Sequence, residues 1–195
     1  NSATACALVI CRLKVRVTRA EKLPEGRFLF VCNHRSKFDP IISWYIFRKN
    51  HLAFISKPEN FNVPVFGRFI RKCCFMAIDR SDARSSLGTF TKAAELMKND
   101  VVSVGVYPEG TRNRDGSLLP FHDGVFIIAR KADVPIVVAA IDGTEKITHN
   151  YPWKRTHIRL DIVGVIDRDF VNTHRTAAVG VAVREMMENN LKGTE

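Results

Sequence analysis

The chain has 195 residues, 46% of them hydrophobic and 26% charged, with a formal net charge of +10 and a pI near 9.7. That length and apolar content allow one domain, residues 1–195, with a full core, and they exclude a disordered tail. The cation excess suits an anionic partner: nucleic acid, an acidic lipid face, an acidic protein or a phosphorylated substrate.

Residues 3–11, ATACALVIC, are apolar but far short of the roughly 20 residues a spanning helix needs. They read either as the remnant of a longer N-terminal membrane-proximal segment or as a short buried strand or helix start. RLKVRVTR (12–19) alternates, with Leu13, Val15 and Val17 on one face and Lys14, Arg16 and Thr18 on the other, which predicts a half-exposed strand. PEG (24–26) is a turn, and RFLFVCN is an apolar strand expected to be buried on both faces. A helix is predicted from Pro40 to about Phe47, then a strand at LAFIS, a helix near 64–73, a short strand at CFMAI and a helix over 83–98. VVSVGVY (101–107) is a further apolar strand, FHDGVFIIARKA a helix, PIVVAAI (135–141) and HIRLDIVGVI strands, and TAAVGVAVREMMENNL a closing helix. Strands alternating with helices predict an α/β fold with a mainly parallel central sheet flanked by helices. In such sheets ligands gather beyond the carboxyl ends of the strands, where loops 33–39 and 108–116 fall.

The five cysteines are odd in number and include no C-x-x-C pair, so they form no disulfide framework and fit a reducing compartment. The six histidines form no H-E-x-x-H and no Cys/His cluster, so no metal site is expected.

In CNHRSKFDP (32–40), Asp39 precedes Pro40. Proline drives the residue before it toward an extended conformation and suits the first helical position, so Asp39 is predicted to be the N-cap. On a continuous helix, His34 and Asp39 would point about 140° apart. They meet only if RSKF turns the histidine back over the helix start. Asp39 would then hold one imidazole nitrogen and leave the other as a base, with Asn33 steadying the loop. No G-x-S-x-G elbow supplies a serine nucleophile, so the proton would come from a substrate hydroxyl. A Cys32/His34 acyl-enzyme is the alternative, and a buried small hydrophobe the plainer reading of Cys32.

In VYPEGTRNRDG (106–116), Glu109 and Arg112 flank one turn. A guanidinium there can bind phosphate bidentately, or the two side chains can form a surface ion pair. PVFGRFIRKCC puts Phe66, Phe69, Ile70 and Cys73 on one helical stripe and Arg68, Arg71 and Lys72 elsewhere. Such a helix can lie on anionic lipid, or face the core with a solvated basic side. IISWYIF (41–47) could wall an apolar tunnel or pack in the core.

Taken together, NHRSKFD and the later PEGTR, each after an apolar strand, resemble the PlsC-type glycerophospholipid acyltransferases. FISKPENFNVPVFGRFIRKCCFMAIDR (54–80) is similar to the family's second block and VPIVVAAIDG (134–143) to its fourth, with Val138 where the family usually has a second proline. The likeness runs from about residue 12 to 170. It implies a glycerolipid acyltransferase-like fold, His34 as general base and Asp39 as its orienting partner. It also implies Glu109, Gly110, Thr111 and Arg112 in the acceptor site, with Lys57 and Arg80 joining Arg112 around a phosphate. The implied donor is a fatty acyl thioester of coenzyme A or acyl carrier protein. The implied acceptor is 1-acylglycerol 3-phosphate (lysophosphatidic acid), with glycerol 3-phosphate or another lysolipid as the alternative. No metal or bound cofactor is implied. An anionic membrane surface is the implied partner, at the cytoplasmic face of the cell membrane, with peripheral or monotopic attachment. A basic nucleic-acid-binding module is the rival class. No RNA or DNA motif is present and the aromatics lie in apolar runs, so nucleic acid is not expected as a partner.

Overall fold

The computed structural model describes residues 12–79 and 82–192. The expectations for residues 1–11 and for Arg80 lie outside these described residues. Among the described residues seven strands form one sheet: β1 (Leu13–Thr18), β2 (Leu29–Cys32), β3 (Leu52–Ser56), β4 (Met76–Ala77), β5 (Ser103–Val106), β6 (Ile136–Asp142) and β7 (Thr156–Ile166). Their order is β1-β7-β6-β2-β5-β3-β4. All neighbouring pairs are parallel except β6 and β7, so β1 and β7 run together, opposite to the other five. The mainly parallel α/β sheet predicted from the alternation is what the chain forms.

The buried strands follow from composition. β2 and β5 are buried at every residue, and β6 at all but its last, as befits strands covered on both faces. β1 alternates in exposure along most of its length, as its edge position requires. The predicted strand at CFMAI shrinks to two residues, because Cys74 sits at φ 58 and turns the chain just before it. Val138, the departure from the family pattern, is buried beside a register irregularity between β6 and β7 at Val138/Ala139. A proline is tolerated at such an irregularity because the ladder is already interrupted there.

Between the strands lie helices α1 (Asp39–Ile46), α2 (Phe66–Lys72), α3 (Ala83–Lys98), α4 (Ile127–Ala132) and α5 (Ile147–Asn150), and after the last strand come α6 (Arg168–Thr173) and α7 (Thr176–Lys192). The predicted helix from Phe121 is shorter: Asp123–Phe126 is a 3-10 turn that runs into α4, and His122 donates its N–H to Pro108 instead of entering a helix. α1 packs as core, with Ile42, Ser43 and the following Phe47 buried, and Phe47 lies 4.9 Å from the Phe30 ring.

α2 corrects the lipid-facing reading. Ile70 is fully buried, and Phe66 and Phe69 pack against the core, Phe69 edge-on to Trp44 at 4.9 Å. Arg68, Arg71 and Lys72 are the solvated side. Periodicity showed which residues share a stripe; burying the Phe–Phe–Ile stripe against the core removes more apolar surface from water than laying it outward.

Candidate active site

β2 ends at Cys32 and its loop carries His34 to the carboxyl edge of the sheet, between β5 and β6. The loop is held on both sides. Asn33 is buried and exchanges two hydrogen bonds with Ile141 on β6, donating from Nδ2 (3.0 Å) and accepting at Oδ1 (2.7 Å). The His34 N–H donates to Glu109 Oε1 at 2.8 Å, and the His34 carbonyl accepts from the Asn113 N–H at 2.8 Å. Arg35 reaches away from the site to Asp142 and Glu145, both at 3.0 Å.

The turn through RSKF does bring the two residues together: His34 Nδ1 lies 2.8 Å from Asp39 Oδ2. Asp39 is not the N-cap that Pro40 suggested. It is the first residue of α1, Phe38 is the cap position without a side-chain cap bond, and the Asp39 carboxylate turns backward. Its Oδ2 accepts from the Arg35 and Ser36 amides as well, each at 2.7 Å. A fully buried carboxylate needs partners, and the RSKF turn presents two free amides beside the imidazole. Its Oδ1 has no hydrogen-bond partner among the described residues. With Nδ1 engaged, Nε2 is the nitrogen left to the cavity that His34 lines.

Tyr107, which sequence reasoning missed, stacks on the His34 ring at 4.2 Å and 18°. Its other neighbour is the Phe54 ring, stacked at 5.3 Å and 6°. Gly105 makes room for Phe54, since a Cβ there would collide with that ring. Burial first, then the nearby Asp39 and Cys32, push the Tyr107 phenol well above its usual range. Nothing in the sequence marked it beyond its place between an apolar strand and Pro108.

Glu109 is buried. Its Oε1 takes the His34 amide and its Oε2 the Leu119 amide at 2.9 Å, so it stitches two loops together and forms no pair with Arg112. Burial pushes its carboxyl up, against the two amides that hold it down. Gly110, at φ 69, closes the turn by donating its N–H to the Tyr107 carbonyl. Beyond it, Thr111 and Arg112 are exposed. They line a cavity of ≈ 400 Å³ together with His34, Lys57 and Lys37, the last another residue the sequence did not single out. A neighbouring, more apolar cavity of ≈ 520 Å³ shares Ile55, Tyr107 and Gly110 with it and runs past Phe90, Val106 and Val125. Of the predicted tunnel wall IISWYIF, only Ile41 reaches the His34 cavity.

Cys32 is fully buried, with Sγ against Asn33 Oδ1 at 3.6 Å, and burial followed by the Asp39 and Glu109 charges pushes its thiol well up. A thiol in that state is a poor nucleophile, which removes the ground for a Cys32 acyl-enzyme.

The Acyltransferase family model matches residues 14–142. A chloroplastic 1-acyl-sn-glycerol-3-phosphate acyltransferase of Brassica napus is 36% identical over 136 residues, 69% of this chain and 39% of that protein. The 1-acyl-sn-glycerol-3-phosphate acyltransferase of Escherichia coli K12 is 30% identical over 142 residues, 72% of this chain and 56% of that protein. The crystal structure of the 1-acyl-sn-glycerophosphate acyltransferase PlsC from Thermotoga maritima aligns with a TM-score of 0.77 at 26% identity, covering 97% of this chain and 76% of that one. The chain thus spans well under two thirds of the plant and E. coli relatives' length. The family model, the relatives and the shared fold agree: the chain belongs to the Acyltransferase family.

Proposed function

We propose that this chain transfers a fatty acyl group from a thioester of coenzyme A or acyl carrier protein to 1-acylglycerol 3-phosphate, giving phosphatidic acid. The observation that carries the reading is the 2.8 Å contact between His34 Nδ1 and Asp39 Oδ2 on the wall of a cavity that also holds Thr111, Arg112 and Lys57. Asp39 holds the tautomer with the proton on Nδ1, so Nε2 accepts the proton of the acceptor hydroxyl. The hydroxyl oxygen attacks the thioester carbonyl. A carbon–oxygen bond forms, the carbon–sulfur bond breaks, and the leaving thiolate takes the proton back from the imidazolium that Asp39 stabilises.

Arg112 and Lys57 bind the acceptor phosphate, with Arg80 as a third cation. Thr111 and Gly110 shape the same turn, and Glu109 serves the site by fixing where His34 stands. The ≈ 520 Å³ apolar cavity that opens beside Tyr107 takes an acyl chain. The acceptor is an amphiphile and the donor is water-soluble, so the protein works on the cytoplasmic face of a membrane, attached peripherally or monotopically. Among the described residues no helix is long and apolar enough to cross one.

The test uses labelled acyl donors, a panel of lysolipid and glycerol phosphate acceptors, and products resolved by mass. H34A should lose general-base catalysis, typically about 10²–10⁴-fold. Kinetics should be sequential, and C32A should stay active. A fully active H34A, or ping-pong kinetics with an acyl group on Cys32, would overturn the reading.

A further inference from the structure

The large exposed apolar side chains are not spread evenly. Trp153 is 83% exposed, Tyr151 48%, Val65 81% and Val63 46%. Leu87, Val101 and Val181 also show but stand singly, as surface aliphatics commonly do. The first four share one end of the sheet. β7 runs antiparallel to β6, so the segment 151–155 that leads into it lies at the carboxyl end of β6. β3 runs parallel to β5 and β5 to β2, so residues 57–65 leave β3 at the end from which the β2 loop carries His34. Trp153 and Val65 therefore stand on either side of His34. Three strands, β6, β2 and β5, lie between β7 and β3, which sets those two strands about 19 Å apart at roughly 4.8 Å per strand.

Each tip is built to stay out. Val65 has φ 65 and ψ −54 and sits in a three-residue turn in which Phe66 N–H donates to the Pro64 carbonyl at 2.7 Å. That is the rare, strained hand of the γ-turn, and a β-branched residue seldom adopts it. Trp153 is anchored through its backbone instead: its carbonyl accepts from the Arg12 guanidinium at 3.2 Å. Around it the exposed charges are one-signed. Arg12, Lys14, Lys146, Lys154 and Arg155 are exposed, and the sole acid between 143 and 157, Glu145, is engaged by Arg35.

We propose that this end of the sheet docks on an anionic lipid surface through two tips, Trp153 with Tyr151 on one side and Val65 with Val63 on the other. The mouth of the His34 cavity then faces the lipid between them. Tryptophan and tyrosine favour the water–lipid boundary because one part of the ring system is apolar and the other makes hydrogen bonds. The surrounding cations add attraction to acidic headgroups that salt screens. The inference rests on the reading that the acceptor is drawn from a membrane, and it explains how the acceptor reaches Nε2 without leaving the surface.

The chain has two tryptophans, so W44F leaves Trp153 as the only reporter. Adding vesicles of phosphatidylcholine mixed with phosphatidylglycerol should blue-shift its emission, and brominated lipid should quench it. W153A should bind the same vesicles about tenfold more weakly, and V65D should weaken binding too. K154E/R155E should weaken binding to the mixed vesicles and leave the small binding to pure phosphatidylcholine unchanged. H34A, inactive but folded, should bind as wild type, which separates docking from turnover. The proposal is overturned if Trp153 ignores the vesicles while the enzyme acylates acceptors within them. It is equally overturned if Trp153 emission is already blue-shifted in buffer, whether residues 1–11 or a second copy of the chain covers it. A lipid response with no acylation of any acceptor would sink the catalytic reading and leave the docking in place.

Discussion

Two loops meet at the His34 cavity, and they are built differently. In residues 33–39 most polar groups are engaged inside the protein, Asp39 Oδ1 and the exposed Lys37 ammonium excepted: Asn33 with β6, the His34 amide with Glu109, the imidazole and two amides with Asp39, the Arg35 guanidinium with Asp142 and Glu145. In residues 110–112, and at Lys57 across the cavity, the cationic ends have no hydrogen-bonding or ion-pairing partner among the described residues, and they reach solvent. A base must stand in its working geometry before substrate arrives, because small misplacements cost much of its effect. A phosphate-binding cation can acquire its partners from the ligand. The protein therefore places its internal hydrogen bonds around His34 and Asp39 and leaves the proposed phosphate-binding side chains open.

Asp39 is where breaking this division should cost most. D39A removes the partner of the imidazole and orphans the Arg35 and Ser36 amides together. It should lower activity as far as H34A does and also cost about 1–3 kcal/mol of stability for a buried donor left unmet. D39N keeps an acceptor for the amides and should recover much of the stability but little activity, since a neutral amide stabilises an imidazolium poorly. Urea unfolding and turnover measured on both variants check this. If D39N kept wild-type activity, Asp39 would be structural only.

Arg112 probes the open side. R112K keeps the charge but loses the planar fork, and we expect a loss of roughly 1–3 kcal/mol in acceptor recognition. It should appear in the acceptor KM with no change in unfolding, because the side chain is exposed. K57A should act in the same direction. An unchanged acceptor dependence in both R112K and R112A would remove Arg112 from the phosphate site.

The smallest effect sharpens the comparison through pH. Burial raises the Glu109 carboxyl above its usual range, so the native state holds that proton more tightly than the unfolded chain. The resulting stabilisation is fully present below the ordinary carboxylate range and is lost as pH rises through the raised folded value. E109Q cannot ionise. The unfolding free energy of wild type minus that of E109Q should therefore fall as pH rises through that window and level off on either side. A difference that grew with pH would mean that the His34 and Leu119 amides outweigh burial at this carboxylate.

The residues by themselves determined the alternation of strands and helices, the mainly parallel sheet, and the two loops that meet at the His34 cavity, because hydrophobic period and turn chemistry are local properties. They also made His34 and Asp39 a pair worth asking about, and Asn33 a brace for their loop. They could not show which way the Asp39 carboxylate would turn. The proline rule speaks of its backbone, while the choice between capping a helix and receiving two loop amides is made by the burial that surrounds it. Nor could they assign Glu109, whose partner lies 75 residues away in the chain. For α2 the period identified the Phe66, Phe69 and Ile70 stripe, but whether a stripe meets lipid or core depends on what packs against it, and Trp44 comes from another element. Tyr107 against His34, and Trp153 on the same side of the sheet as the dyad, exist only once β5, β6 and β7 are laid side by side. Strand order and direction are set by contacts between distant segments, and no window along the chain contains them.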